Sequence, residues 1–260
     1  VNKQPGHSSA RGVSIGPPGE VAVWIDFDRT ITRRDVLDDL IEKYAVDKSW
    51  LEVERLWQSG QIGSSECLRQ EFALIRIDDD PLHRFLDHVA IDPGFVRLVE
   101  LLSAHRVPAT IVSDGIDWFI ERVLRRVGVN NIPVRANTLS RQGQAMALLC
   151  PHHDPACVTA AAHCKCSSIR TLGDGKRRSI YIGDGRSDLC PARSCDVVFA
   201  KLTLAQLMTA EGRPFIPFTT LNDVADALGA AWATAGASGV VQVTLPAAAP
   251  PRRAPAAARG

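Results

Sequence analysis

Two apolar runs, far apart in the chain, each end abruptly in carboxylates. Val21-Ala22-Val23-Trp24-Ile25 leads straight into Asp26-Phe27-Asp28-Arg29-Thr30. Ser179-Ile180-Tyr181-Ile182 leads into Gly183-Asp184-Gly185-Arg186-Ser187-Asp188. A short apolar run bounded by turn residues reads as a buried strand. In an open parallel sheet, ligands bind in the crevice outside the carboxyl ends of the strands. Two acidic clusters at one sheet edge face each other there, and they repel unless a cation lies between them. Hard oxygen ligands with room for waters and a phosphate suit magnesium.

The chain has 260 residues, 45% of them hydrophobic. That length accommodates one sizeable domain, or a core domain with a smaller insertion. Residues 1–19 are rich in Gly, Ser and Pro and read as a flexible arm. Residues 241–260 lead into Pro, Ala and Arg and read as a disordered tail. Between them, a strand at 20–26 precedes a helical stretch over 35–90. That stretch carries periodic apolar sets such as Val36, Leu37, Leu40, Ile41, Tyr44 and Leu68, Phe72, Ile75. Asp92-Pro93-Gly94 marks a turn at its end.

The pattern then predicts a helix at 94–105, the strand Ala109-Thr110-Ile111-Val112 leading to Ser113, and a helix at 116–127 closed by Gly128. Residues 132–149 read as two strands around the turn Ser140-Arg141-Gln142-Gly143, followed by a Cys/His-rich loop over 150–166. A helix at 166–173, a strand at 179–183, a helix at 187–194, the strand Asp196-Val197-Val198-Phe199 and a helix at 221–234 complete it. Strands alternating with helices make an α/β fold with a mostly parallel sheet. The expected domains are a core of 20–34 plus 92–240 and a small helical domain of 35–91.

Net charge is +1, so no global field draws the chain to nucleic acid or membrane. No stretch approaches the roughly 20 apolar residues that span a bilayer. The first twenty residues lack the apolar centre of a signal peptide, and the expected location is cytoplasmic. Seven cysteines read as thiols or metal ligands rather than a disulfide framework.

These residues carry a family likeness. The chain resembles the haloacid dehalogenase-like phosphatases, in the branch that includes phosphoserine phosphatase. Asp26, Asp28 and Thr30 match that family's Asp-x-Asp-x-Thr, and Ser113, Lys165 and Asp184/Asp188 match its later motifs in order. The likeness runs over roughly 20–235 and implies a Rossmann-like core with a helical cap inserted after the first strand. Val112-Ser113-Asp114-Gly115, Cys164-Lys165 and Val197-Val198-Phe199-Ala200-Lys201 resemble a bacterial group similar to a methionine-salvage phosphatase. That enzyme acts on 2-hydroxy-3-keto-5-methylthiopentenyl-1-phosphate. The Cys-rich approach to Lys165 and the Ser113-Asp114 pair also resemble phosphoethanolamine/phosphocholine phosphatases. Two positions depart: Arg29 stands where many relatives have Gly, and Asp114 where phosphoserine phosphatases usually have Gly.

The resemblance implies a role for each matched residue. Asp26 is the nucleophile that forms an aspartyl-phosphate. Asp28 protonates the leaving oxygen and then activates water. Asp26, the Asp28 carbonyl, Asp184 and Asp188 hold magnesium, Asp188 directly, through water, or by holding Lys165. Thr30, Ser113, Asp114, Gly115 and Lys165 bind the phosphate, the Asp114 and Gly115 amides acting at a helix N-terminus. Ser113 equally reads as the cap of the helix at 116–127. Arg170 and Lys176 are less well placed alternatives to Lys165.

Cys150, His152, His153, Cys157, His163, Cys164 and Cys166 crowd one stretch. Thiolates and imidazoles suit zinc, which Cys150, Cys157, Cys164 and Cys166 could supply. The spacing is not that of a zinc finger, so free thiols are the favoured reading, with zinc or a disulfide as alternatives. In the helical insertion, Trp50, Trp57, Arg55 and Arg76 read as core or surface, while Arg69 or Glu42 could reach a leaving group. The expected activity is magnesium-dependent hydrolysis of a small phosphorylated metabolite, by a monomer or homodimer without nucleic-acid or membrane partners. The alternatives are a phosphoserine or phosphoethanolamine/phosphocholine phosphatase, a phosphotransferase, and a non-catalytic phosphate-binding module.

Overall fold

The computed structural model describes residues 13–233 and 240–241. Its strands are β1 (Val13–Ser14), β2 (Val21–Ile25), β3 (Ala109–Ile116), β4 (Val134–Gln142), β5 (Ala145–Leu149), β6 (Arg178–Gly183), β7 (Val197–Ala200), β8 (Ile216–Pro217) and β9 (Val240–Val241). Seven of them form one sheet in the order β5-β4-β3-β2-β6-β7-β8. All neighbours run parallel except the β4–β5 hairpin. The helices are α1 (Val36–Tyr44), α2 (Trp50–Gln58), α3 (Ser64–Leu74), α4 (Asp79–Asp87), α5 (Phe95–Ala104), α6 (Asp117–Arg126), α7 (Lys165–Leu172), α8 (Leu189–Ser194), α9 (Leu202–Ala210) and α10 (Leu221–Ala233). None of the described helices is long and apolar enough to cross a membrane.

The central strand is apolar on both faces, which is why it sits mid-sheet. Val21, Val23 and Ile25 join the core that includes α5, α6 and α10. Trp24 joins the opposite core, with Tyr181, Val198, Leu204 and Met208. From β2 the sheet grows through β3 on one side and β6 on the other. β2 therefore borders the point where strand order reverses, and its C-terminal end opens into a crevice.

The insertion is helical, as the 3.6-residue periodicity required. Asp35 caps α1, its carboxylate accepting from the Leu37 and Asp38 amides at 3.0 and 3.1 Å. α3 packs on β5 and α4 on α6, and Val36, Leu40, Phe72, Ile75 and Leu82 continue the core of the sheet. The two connections to the insertion run side by side: the Arg33 amide donates to the Ala90 carbonyl at 2.9 Å, and Asp92 N–H to Ile31 at 2.8 Å.

Several expectations need correction. Part of the supposed flexible arm is built into the fold. Val13–Ser14 pairs antiparallel with Val240–Val241, Ile15 is fully buried, and the Trp232 indole donates to the Gly16 carbonyl at 3.2 Å. The supposed tail begins one residue too early, since Val241 pairs with Val13. Residues 1–12 and 242–260 lie outside the described residues. The hairpin turn falls at Gly143-Gln144, not at 140–143, because β4 continues through Gln142, which pairs with Ala145. Gly143, at φ +57, supplies the left-handed conformation such a tight hairpin needs. The strand at Ser113 runs on to Ile116 with a register shift. α9 and β8 went unseen: α9 buries only Leu204 and Met208 and lacks a side-chain cap, and β8 has two residues.

Asp92 fastens the second connection to α10, accepting from the Gly94 and Leu221 amides at 2.9 Å each. A Cβ on Gly94 would lie 2.0 Å from the Asn222 amide nitrogen, a backbone atom that cannot rotate away. Gly94→Ala is expected to destabilise the fold by about 1–3 kcal/mol through overpacking. A urea midpoint unchanged from wild type would contradict that contact.

Candidate active site

Four segments converge at the carboxyl edge of the sheet. β2 ends at Asp26, whose amide donates to the Ile182 carbonyl of β6 at 2.9 Å. The chain then folds back over Phe27, whose carbonyl accepts from Thr30, Ile31 and Thr32. That turn puts Arg29 at φ +57, which explains why glycine suits this position. In β3 the register shifts between Val112 and Ile116, turning Ser113-Asp114-Gly115 out of the ladder. Ser113 is not the cap of α6. Its Oγ accepts from the Gly115 amide at 2.8 Å, and its own proton is left to point elsewhere.

Lys165, at the first turn of α7, places its ammonium 2.6 Å from Asp26 and 2.7 Å from Asp188. All three side chains are buried. Asp188 is saturated: Oδ1 also accepts from the Tyr181 hydroxyl at 2.6 Å, and Oδ2 from the Asp184 and Gly185 amides at 2.9 Å each. Gly183 makes room, because a Cβ there would lie 2.6 Å from Asp188 Oδ2. Asp188 therefore holds Lys165, and the direct metal contact is the reading it does not fit.

Two further residues have partners that the sequence did not show. Thr30 is fully buried, and its hydroxyl donates to Asp184 at 3.3 Å, so it orients a carboxylate instead of gripping phosphate. The Asp114 carboxylate accepts from Ser64 at 3.2 Å and from the His163 amide at 2.8 Å. These bonds tie the Asp114 carboxylate to α3 and to the Cys/His-rich loop, and the Gly115 amide donates to Ser113 Oγ.

A cavity of about 440 Å³ opens over these groups. Asp26, Asp28, Ser113, Asp114, Gly115, Lys165 and Asp184 line one end, and Leu37, Asp38, Glu54, Trp57, Gln58, Leu68 and Glu71 of α1–α3 line the other. Neither Arg69 nor Glu42 reaches it, and Glu42 faces an adjoining hollow. Arg170 instead pairs with Asp154, on the surface. Trp57, Glu54 and Glu71 are lining residues that single-residue reading could not select; only their place in helices facing the strand ends does so.

Burial, then Asp35 and Asp26, hold the Asp28 carboxyl well above the usual carboxylate range. It accepts the Val36 amide at 2.8 Å, which ties it to α1. Burial, then Asp188, push Asp26 up, with Lys165 acting the other way. Asp184 is pushed up to about 7 by burial and by Asp188. Burial opposes the charge on Lys165, but Asp188 and Asp26 outweigh it and keep it cationic.

Two constellations among the described residues bring three metal-capable side chains together: Asp26-Asp184-Asp188 and Glu54-Cys67-Glu71. Asp26 and Asp184 of the first fit a divalent cation, with Asp188 behind them holding Lys165. Three buried carboxylates share one buried ammonium, and no hydrogen bond reaches the second oxygen of Asp26 or of Asp184. The zinc set does not converge. Cys150 instead lies 4.0 Å from Ser65, Cys157 3.3 Å from Thr159, and all seven cysteines are free.

The sequence model of a family described as Putative Phosphatase matches residues 21–215. The chain belongs to that family. It is 28% identical over 207 residues to the 2-hydroxy-3-keto-5-methylthiopentenyl-1-phosphate phosphatase of Bacillus mycoides, covering 78% of this chain and 94% of that protein. The protein of the same name from Brevibacillus brevis is 27% identical over 208 residues, with 79% and 93% covered. The fold matches a substrate-bound phosphoserine phosphatase with a TM-score of 0.61 at 13% identity, covering 81% of this chain and 97% of that one. It also matches a phosphoserine phosphatase from T. onnurineus with a TM-score of 0.59 at 18% identity, with 80% and 93% covered. The chain is a phosphoric monoester hydrolase of the haloacid dehalogenase-like type, and its fold is that of the phosphoserine phosphatases.

The far wall of this phosphatase's cavity is itself under electrostatic load. Burial, then Glu54, push Glu71 up to about 8. An unfolded glutamate titrates near about 4.3. The folded state thus keeps a proton that the unfolded state releases, and stability present at low pH is lost as pH rises to about 8. Glu71→Gln removes this penalty. Its stability advantage over wild type should be absent near pH 4, grow with pH, and level off above about pH 8. Parallel urea titrations across pH check this, and a constant offset would contradict it.

Proposed function

We propose that this phosphatase hydrolyses a small phosphorylated metabolite through an aspartyl-phosphate on Asp26, with magnesium as cofactor. The observation that carries the reading is the buried Asp26–Lys165–Asp188 chain beside a carboxyl, Asp28, whose hold on a proton burial strengthens. Asp26 and Asp184 carboxylates and the Asp28 carbonyl would hold the ion, which supplies Lewis-acid polarisation of the phosphoryl oxygens and a template for the substrate.

Asp26 attacks phosphorus with the oxygen that Lys165 leaves free. Lys165 and the Ser113 hydroxyl hold the equatorial oxygens and spread the charge that develops there. Asp28 passes its proton to the leaving alcohol and, now ionised, takes one from the water that cleaves the acyl phosphate. The four helices α1–α4 act as a cap whose adjoining linkers form its hinge. Closure excludes bulk water and brings Trp57, Leu68 and Glu71 against the leaving group.

A second reading, a phosphorylated amino alcohol, is favoured by one observation. Asp38 and Glu54 line the leaving-group end and would attract an ammonium, whose arrival would favour ionisation of the neighbouring Glu71. A panel of metabolite phosphomonoesters, with magnesium or with chelator, separates the two. Neutral polyol or thioether esters should turn over fastest under the first reading and amino-alcohol esters under the second. Full activity in metal-free buffer would refute the magnesium role.

Asp26→Asn should lower turnover by more than about a thousandfold on every ester, since it removes the nucleophile. Intact turnover in the folded variant would end the mechanism. Asp28→Asn should slow alkyl esters by about 10²–10⁴-fold, the usual worth of a general acid. Aryl phosphates, whose departing oxygen needs little help, should lose much less. Equal losses on both ester types would remove Asp28 from that role.

A further inference from the structure

The Cys/His-rich loop gathers no metal-binding set among the described residues, yet it is pinned to the site through His163. The His163 ring is almost fully buried, with Nδ1 2.9 Å from the Ser113 carbonyl oxygen and Nε2 2.6 Å from the Ser168 hydroxyl. Ser113 supplies the hydroxyl that faces phosphate. Ser168 lies three residues beyond Lys165, on the same face of α7. One imidazole thus spans the two elements that grip the phosphoryl group.

The bond pattern fixes the tautomer. A carbonyl oxygen only accepts, so Nδ1 carries the proton. Burial pushes the ring down to about 3, so it is neutral and Nε2 accepts from Ser168. The backbone of the same residue extends the link. Its amide donates to Asp114 Oδ1 at 2.8 Å, and Asp114 Oδ2 accepts from Ser64 of α3. Asn137 of β4 donates to the Asp114 carbonyl at 2.7 Å, holding the turned-out segment of β3 from the other side.

We infer that His163 is a positioning residue for phosphoryl transfer: its imidazole bridges Ser113 and Ser168, fixing the phosphate hydroxyl relative to Lys165. The inference rests on the phosphatase mechanism above. His163 touches neither substrate nor the reacting atoms. It works by holding Ser113 Oγ and Lys165 Nζ at one separation, and a displacement of about 1 Å there costs about 10²-fold in rate.

The test uses three variants on an aryl phosphate. His163→Phe keeps the ring and loses both bonds, and kcat should fall about 100-fold while KM changes less than about threefold, the mark of a transition-state effect. His163→Asn keeps a donor where Nδ1 lies and should recover about tenfold of that loss. Ser168→Ala breaks only the Nε2 bond and should lower kcat while the protein stays folded, with a melting temperature a few degrees lower because a buried acceptor loses its partner, which covers the case in which His163→Phe does not fold. Nitrogen-15 spectra of the wild-type protein should show a neutral, Nδ1-protonated ring from pH 5 to 9. Unchanged kcat in folded His163→Phe or Ser168→Ala, or a rise in KM alone, would overturn the role. So would an Nε2-protonated or titrating ring. A wild-type protein that releases no phosphate from any ester sinks the phosphatase mechanism instead, and the spectra still report on His163.

Discussion

A buried ammonium between two buried carboxylates is the constraint that the rest of the site obeys. Taking such ions out of water costs several kcal/mol each, and their attraction offsets this only when the remaining lone pairs are satisfied. Asp188 meets that condition with four hydrogen bonds, one of them from a tyrosine buried in the opposite core. Asp26 does not. Lys165 occupies one oxygen and leaves the other open toward the cavity. The asymmetry is plain: Asp188 is a fixed support, and Asp26 keeps one oxygen without a hydrogen bond among the described residues. The uncompensated charge of Asp26 and Asp184 is what a divalent cation would neutralise.

The sheet explains why these groups meet at all. β2 lies between β3 and β6, so the ends of three adjacent strands deliver Asp26, Ser113 and Asp184 to one crevice. Backbone irregularity does the fine aiming. The shift in β3 lifts Ser113 out of the ladder, and a Cβ on Gly115 would crowd both Ser113 Oγ at 2.9 Å and Asp28 Oδ2 at 3.1 Å. Arg29 adopts a left-handed conformation that costs an ordinary residue about 1–2 kcal/mol. Its positive charge beside Asp35, Asp38 and Asp184 accounts for a side chain where glycine would be easier.

The parts of this arrangement visible in sequence were those with a strong local signal. The runs before Asp26 and Asp184 are apolar on both faces, and the insertion repeats with a helical period, so strand ends and helices could be assigned. Roles that depend on a distant partner were misread. Thr30 looks like a phosphate ligand until Asp184 takes its hydroxyl, and nothing local says that the Asp114 carboxylate ends on Ser64 and the His163 amide. Tyr181 was only a strand residue, because nothing local says its hydroxyl ends on Asp188. α9 escaped because a helix of small buried area and no cap leaves little periodicity to read.

The Cys/His-rich loop shows the same point from the other side. Its composition suggested metal, but composition states which donors exist and not where they converge. In the fold its polar groups are spent on protein partners: His163 on the Ser113 carbonyl and the Ser168 hydroxyl, the Cys164 amide on the His152 carbonyl, and the Ala160 carbonyl on the Ser65 amide. The loop therefore acts as a strap between α3 of the insertion and the phosphate-facing turn of β3. Any motion that lifts α3 from the crevice must break the Ser64–Asp114 bond or drag Asp114 with it. Because Asp114 adjoins Ser113, access to the cavity and the placement of the Ser113 hydroxyl are mechanically one variable.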